Sequence, residues 1–204
     1  MQLMSVFGLG YAIGDFSDHG DWRAKINNST PVRPTNTNIL SAPNDSGYFT
    51  YTIRADDKAW LLEYALIDDG MQDFIRWLES IHTGCAESVL LMNQEGPVDL
   101  VYASCDYMTD DMRLVLISDA ERLYDSHHQR YVENDDFNKR VKELGGTQVV
   151  FDIIINKLDF VEVMYVLTHM MAEKKDVPMY HSSLIEAALD ERPEKHENMF
   201  FKVS

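Results

Sequence analysis

Alternation of apolar and polar side chains predicts most of the strands in this chain. Residues 48–53 read Y-F-T-Y-T-I, a β-branched and aromatic run typical of a half-buried strand. Runs at 88–92, 98–103 and 112–117 follow one another with short polar turns between them, which predicts an antiparallel meander. Residues 148–155 form a further strongly apolar run. The pattern therefore indicates a largely antiparallel sheet.

Helical periodicity predicts three helices. Apolar residues recur every three to four positions in 71–82, and Gly84 is the expected C-cap. Asn156 is an N-cap candidate for a second helix over 158–171, whose apolar positions nearly encircle it. Such a helix is expected to lie across a sheet. A third, shorter helix is expected over 182–189.

Other segments have weaker patterns. Residues 59–67 fit a helix or a strand equally well by periodicity. Residues 14–47 are polar and rich in Asn and Pro, which predicts a long polar loop. An apolar strand is expected within 1–13, a short helix over 137–144, and a charged tail over 190–204.

The order of these elements predicts the fold class. Strands and helices come in runs rather than in strict alternation, which favours an α+β fold with a largely antiparallel sheet and helices packed on one face. With 204 residues, of which 45% are hydrophobic, the chain can bury a sizeable core. We expect a single domain spanning residues 1–204.

The cysteines and the N-terminal segment predict a cytoplasmic protein. Cys85 and Cys105 form neither a C-x-x-C motif nor a disulfide framework, so we expect them to be buried and reduced. A signal peptide would carry Lys or Arg before its apolar segment, and the apolar N-terminal segment of this chain has none there.

The net charge of the chain argues against some classes of binding partner and favours another. The chain has 34 acidic and 18 basic residues, a formal charge of −16, and residues 48–120 alone carry fourteen acids and four bases. Phosphates and anionic lipids repel such a chain, which argues against direct binding to nucleic acid or to membranes. A basic protein partner would instead be attracted.

No catalytic motif is present, and we predict neither a catalytic residue nor a cofactor or metal. The segment with the most metal-like composition contains Asp15, Asp18, His19 and Asp21, but it lacks the spacing of an EF-hand loop, and local turns explain it more simply. Together with the adjacent pair His127 and His128, these residues define an alternative hypothesis, a metal-dependent hydrolase.

Two further histidines are more simply explained by structure than by chemistry. His82 stands near a predicted helix C-terminus, where it would act as a capping cation or remain exposed. His169 lies on a mostly apolar helix, and we expect it to be partly buried with its hydrogen bonds satisfied.

Acidic residues interleaved with tyrosine predict a surface for Lys and Arg. Carboxylates accept bidentate hydrogen bonds from arginine, and tyrosine provides contact area at low entropic cost. The predicted binding residues fall in two segments and are Asp106, Tyr107, Asp110, Asp111, Tyr131, Glu133, Asp135 and Asp136.

Part of the chain resembles a family of bacterial immunity proteins. The matching features are the helix D-F-I-R-W-L-E-S-I at 73–81, the turn Q-E-G at 94–96, the strand M-R-L-V-L-I at 112–117, and the strand–helix unit from 150 to 167. This pattern is similar to that of small cytosolic proteins that neutralise polymorphic toxins, including toxins of contact-dependent growth inhibition. The resemblance covers about half of the chain.

The resemblance implies a non-enzymatic protein that binds a toxin domain, often a basic nuclease, through an acidic surface. A second alternative, besides the hydrolase, is an acidic nucleic-acid mimic that inhibits a DNA-binding protein.

Overall fold

The computed structural model describes residues 11–13, 21–41, 48–56, 58–65, 70–93, 98–106, 108–118, 122–125, 130–133, 139, 147–175, 177–178 and 180–191. The described elements, in chain order, are β1 (Tyr11–Ile13), α1 (Trp22–Asn28), β2 (Thr37–Ser41), β3 (Tyr48–Ala55), β4 (Lys58–Ala65), α2 (Gly70–His82), β5 (Glu87–Asn93), β6 (Val98–Cys105), β7 (Asp111–Ser118), β8 (Arg122–Asp125), β9 (Arg130–Glu133), β10 (Gln148–Asn156), α3 (Lys157–Lys175) and α4 (Ser183–Glu191).

A five-stranded sheet in the order β1-β5-β6-β7-β10 forms the centre of the fold. Strands β5, β6 and β7 pair antiparallel in chain order, which confirms the predicted meander. Strand β10, which contains the apolar run at 148–155, pairs antiparallel with β7. Among the strands that the structure describes, only the short β1 pairs in parallel, along β5. The α+β class with a largely antiparallel sheet is therefore confirmed.

A second antiparallel sheet consists of β2, β3 and β4. The segment that was ambiguous between helix and strand is β4, and its alternate residues Trp60 and Leu62 are buried. The ring of Trp60 lies 4.6 Å from that of Phe151 in β10, centroid to centroid, so the two sheets share one core. Trp60 and Leu62 are two positions apart and lie on the same face, and this alternation is typical of a strand and not of a helix.

The two long helices, α2 and α3, pack in the main core together with residues of both sheets. Trp77 of α2 contacts Phe160 of α3 edge to face, with the ring centroids 6.0 Å apart. Tyr51 of β3 stacks on Phe74, and its hydroxyl lies 2.7 Å from that of Thr168. The helix α3 is buried on most of its circumference, as its encircling apolar positions predict.

The prediction of a long polar loop over 14–47 is wrong for the residues described there, because α1 and β2 lie within it. Asp21 caps α1 by accepting a hydrogen bond from the Ala24 N–H at 3.0 Å. Trp22 and Ile26 bury one face of α1 against the opposite side of the five-stranded sheet. The helix packing is therefore not limited to one face: α2 and α3 lie on one side and α1 lies on the other.

The remaining predictions have mixed outcomes. The Asn156 side chain accepts from the Asp159 N–H at 2.9 Å, which confirms this residue as the cap of α3. Gly84 follows α2 with a φ of +77°, the left-handed conformation expected of a C-cap glycine. The hairpin β8–β9 lies in a polar part of the chain where no strand was predicted. Most of the predicted helix at 137–144, and the tail beyond residue 191, lie outside the described residues.

Candidate functional site

The predicted acidic segment between β6 and β7 is a turn shaped by its own hydrogen bonds. We call residues 106–111 the acidic turn. The Asp106 side chain accepts from the Met108 N–H at 2.9 Å, and the Asp111 N–H donates to the Thr109 hydroxyl at 3.3 Å. The Asp106 N–H also donates to the Asp111 carbonyl at 3.3 Å. These contacts give the turn its conformation without help from a partner.

The tip of the acidic turn combines an apolar side chain with carboxylates. Met108 is 90% exposed, and the flanking Asp106 and Asp110 are also exposed. Methionine is enriched in protein interfaces and adapts to irregular surfaces. An exposed apolar tip bordered by charges has the composition of a contact patch with a polar rim.

One of the predicted binding residues, Asp111, already has a partner. Arg33 donates two hydrogen bonds to its carboxylate, from Nη1 at 3.1 Å and from Nη2 at 2.5 Å. These hydrogen bonds lower the pKa of Asp111, and the nearby positive charge lowers it further. The negative charge of Asp111 is therefore balanced within the protein, and Asp106 and Asp110 are the carboxylates of the turn that face solvent.

The structure describes only some of the other predicted binding residues. Tyr131 and Glu133 belong to β9, where their backbones pair with Tyr124 and Arg122 of β8. Strand β8 lies beside β4, so this hairpin neighbours the three-stranded sheet, whereas the acidic turn lies at one end of the five-stranded sheet. Three further predicted binding residues, Tyr107, Asp135 and Asp136, lie outside the described residues.

The metal-binding hypothesis for the N-terminal segment is supported by none of its described residues. Asp21 accepts a backbone hydrogen bond as the cap of α1, which gives this carboxylate a structural role. Asp15, Asp18, His19, His127 and His128 lie outside the described residues.

A buried charged network holds the strand that carries the acidic turn. Arg113 of β7 donates from Nε and Nη2 to the two carboxylate oxygens of Asp152 in β10, at 2.9 and 2.6 Å. Arg113 Nη2 also donates to the Ile26 carbonyl of α1 at 2.7 Å, and the Ser29 hydroxyl donates to Asp152 Oδ2 at 2.6 Å. The bond to Asp152 raises the pKa of Arg113. The network therefore links α1, β7 and β10, and Arg113 lies two residues after the end of the acidic turn.

A histidine cluster between α3 and α4 was missed by sequence reasoning. His169 lies on α3, His181 precedes α4, and Glu186 lies in the first turns of α4. One possible ligand atom from each of the three lies within 4.8 Å of the other two. Glu186 Oε1 accepts from the Tyr165 hydroxyl at 2.8 Å and lies 2.8 Å from His181 Nδ1.

The expectation that His169 has satisfied hydrogen bonds is wrong. Its Nε2 atom is buried and has no hydrogen-bond partner among the residues that the structure describes. Burial lowers the pKa of His169, and the neighbouring His181 lowers it further, so the ring is neutral at pH 7. Hydrogen bonds from His181 and Tyr165 lower the pKa of Glu186, which is therefore ionised.

Burial changes the pKa of His82 and of Cys105. Burial lowers the pKa of His82, so it does not act as the capping cation that its position suggests. Cys105 is buried, and burial raises the pKa of its thiol. Cys85 is partly exposed rather than buried as expected, and its Sγ lies 3.1 Å from the Glu87 carbonyl. A thiol with a raised pKa is a poor nucleophile at neutral pH.

Comparison with known proteins identifies no relative of this chain. No protein-family model matches it, and neither a curated protein nor a solved structure matches significantly. Within the described residues, no helix is long and apolar enough to cross a membrane. Among the described residues, the acidic turn and the histidine cluster are the two groupings with the composition of a binding site.

Proposed function

We propose that this protein is a non-enzymatic, cytoplasmic immunity protein that binds a basic toxin domain, such as a nuclease, and neutralises it. The observation that carries the proposal is the acidic turn, in which Met108 is 90% exposed between two exposed carboxylates. The partner is a protein with a basic surface.

The conformation of the acidic turn supports a role in binding. Because Asp106, Thr109 and Asp111 already hold the backbone by hydrogen bonds, little conformational entropy is lost when a partner binds. The carboxylates can accept bidentate hydrogen bonds from arginine, and Met108 can enter an apolar depression between the basic residues.

The uneven charge of the chain supports a basic partner. Residues 48–120 have a net charge of −10, and this segment includes the acidic turn. A surface of one sign accelerates association with a surface of the opposite sign, and salt weakens the effect. The same charge repels the phosphates of the nucleic acid on which a nuclease acts.

Charge reversal in the acidic turn tests this proposal. We expect the double variant Asp106→Lys/Asp110→Lys to lower the association rate with a basic toxin domain about tenfold at low salt, because it turns attraction into repulsion. The probe is a purified basic toxin domain that this protein retains in a pull-down, with association followed by stopped-flow fluorescence. The difference from wild type should shrink as salt is added.

A matched control separates a local effect from a change in net charge. The variant Asp190→Lys/Glu191→Lys makes the same charge change at two exposed positions near the end of α4. It should associate at nearly the wild-type rate if the acidic turn forms the contact. Equal slowing in both variants would show that the turn has no special role.

Removal of Arg33 should have the opposite effect. The variant Arg33→Gln leaves the Asp111 carboxylate without its cation, so the acidic turn gains a negative charge that faces the partner. We expect the association rate at low salt to rise by a few-fold. Lys174→Gln, which removes an exposed cation on α3, is the control for net charge. A variant that binds faster is not explained by damage to the fold.

A further inference from the structure

We propose that His169, His181 and Glu186 bind one Zn²⁺ ion, at a site that connects α3 to α4. The three side chains come from two helices and the segment between them, and one possible ligand atom of each lies within 4.8 Å of the other two. This site is separate from the acidic turn and does not depend on the proposed toxin binding.

The donor set selects a class of metal. Two imidazoles and one carboxylate suit Zn²⁺ and neighbouring first-row metals, whereas Mg²⁺ and Ca²⁺ prefer oxygen ligands. A tetrahedral Zn²⁺ with bonds of about 2.1 Å holds its ligand atoms roughly 3.4 Å apart. The possible ligand atoms lie within 4.8 Å of one another, so the side chains need only shift slightly to adopt this spacing. His181 and Glu186 can do so because their side chains are 66% and 42% exposed.

An unsatisfied nitrogen on one of the three residues supports the assignment. His169 Nε2 is buried and has no hydrogen-bond partner in the part of the chain that the structure describes. A buried nitrogen in that state costs free energy, and a metal bond would satisfy it. The ring stands 5.3 Å from the ring of His181, at an angle of 81°.

Tyr165 supplies the outer support that metal-binding carboxylates generally have. Its hydroxyl donates to Glu186 Oε1 at 2.8 Å and accepts from the Ser182 N–H at 3.0 Å. The hydrogen bonds from Tyr165 and His181 both involve Oε1, so Oε2 can bind the ion while Tyr165 keeps the carboxylate oriented. Tyr165 is thus a positioning residue.

The proposed ion would fasten α4 to α3 and leave one position open. Three protein ligands are one fewer than Zn²⁺ takes in closed structural sites, so a water molecule or another donor would complete the coordination. A ligand that binds only the folded chain raises its stability in proportion to the logarithm of the ligand concentration.

Calorimetric titration of the chelator-treated full chain with Zn²⁺ tests the proposal. We expect saturation at one ion per chain with a Kd below about 10 μM, and no comparable uptake of Mg²⁺. At a hundredfold excess over Kd, Zn²⁺ should raise the Tm by roughly 5–10 °C. Absence of saturable Zn²⁺ uptake, or equal uptake of Mg²⁺, overturns the proposal.

Variants assign the ion to these residues. His181→Ala should weaken Zn²⁺ binding at least tenfold and abolish the Tm shift, without changing the Tm of the metal-free protein much, because the side chain is exposed. Glu186→Gln should also weaken binding. His127→Ala/His128→Ala, which removes the adjacent histidine pair, should bind Zn²⁺ as wild type does. Binding that survives His181→Ala, or that is lost in the paired control, rules out the proposed site.

Discussion

Replacement of Arg113 by methionine is expected to lower the free energy of unfolding by about 3 kcal/mol, because it breaks a buried ion pair on one side only. The Asp152 side chain is 5% exposed, and of this network only the Ser29 hydroxyl would still donate a hydrogen bond to its carboxylate. The carbonyl of Ile26 would lose a donor as well. Urea unfolding, with the midpoint and slope fitted together, measures the change.

A second variant distinguishes an unpaired charge from a loss of packing. In Arg113→Met/Asp152→Leu both charges are absent, and we expect part of the lost stability to return, since buried pairs can often be replaced by apolar residues at little cost. The two single variants and the double variant form a thermodynamic cycle. A cost below about 1 kcal/mol for Arg113→Met would contradict a structural role of the network.

Trp77→Ala is expected to cost about 4 kcal/mol, the largest effect of any single change considered. Trp77 is fully buried in α2 and contacts Phe74 in its own helix and Phe160 in α3. Alanine would leave a cavity where α2 meets α3, so both the transfer free energy and the packing of neighbouring rings are lost. Thermal and urea unfolding should report the same loss.

Trp77→Phe is the matched control for that cavity. It keeps an aromatic ring and removes the indole N–H, which has no hydrogen-bond partner among the described residues. We expect its cost to be less than half that of alanine, because loss of an unsatisfied donor offsets part of the lost volume. Equal costs for the two variants would show that ring packing at this position contributes little.

The sequence predicts those elements whose periodicity is long and regular. Helices α2 and α3 and strands β5, β6, β7 and β10 each bury a continuous face, so their patterns are clear. In contrast, α1 has seven residues and only Trp22 and Ile26 to bury, which leaves its pattern too short to recognise in a polar segment. Strand β2 was missed in the same segment, where Ile39 is the apolar residue that it buries.

The sites differ in how far sequence could predict them. Clustered carboxylates are visible in the chain, so the acidic turn was found. The partner of Asp111 could not be predicted from the sequence, because Arg33 lies 78 positions away in the chain. The histidine cluster also requires the fold, since α3 and α4 must pack before His169 meets Glu186. A Tyr and a His four positions apart on α3, followed by a second His next to the capping Ser182, were the available signals.

The most direct test of the central claim is a titration of toxin activity. A basic toxin domain that this protein retains in a pull-down would be assayed on its substrate with increasing amounts of this protein. The account predicts that one equivalent abolishes activity, and that Asp106→Lys/Asp110→Lys requires a clear excess at low salt whereas Asp190→Lys/Glu191→Lys does not. Full toxin activity in the presence of excess folded protein, or equal inhibition by all three chains, would contradict the role assigned to the acidic turn.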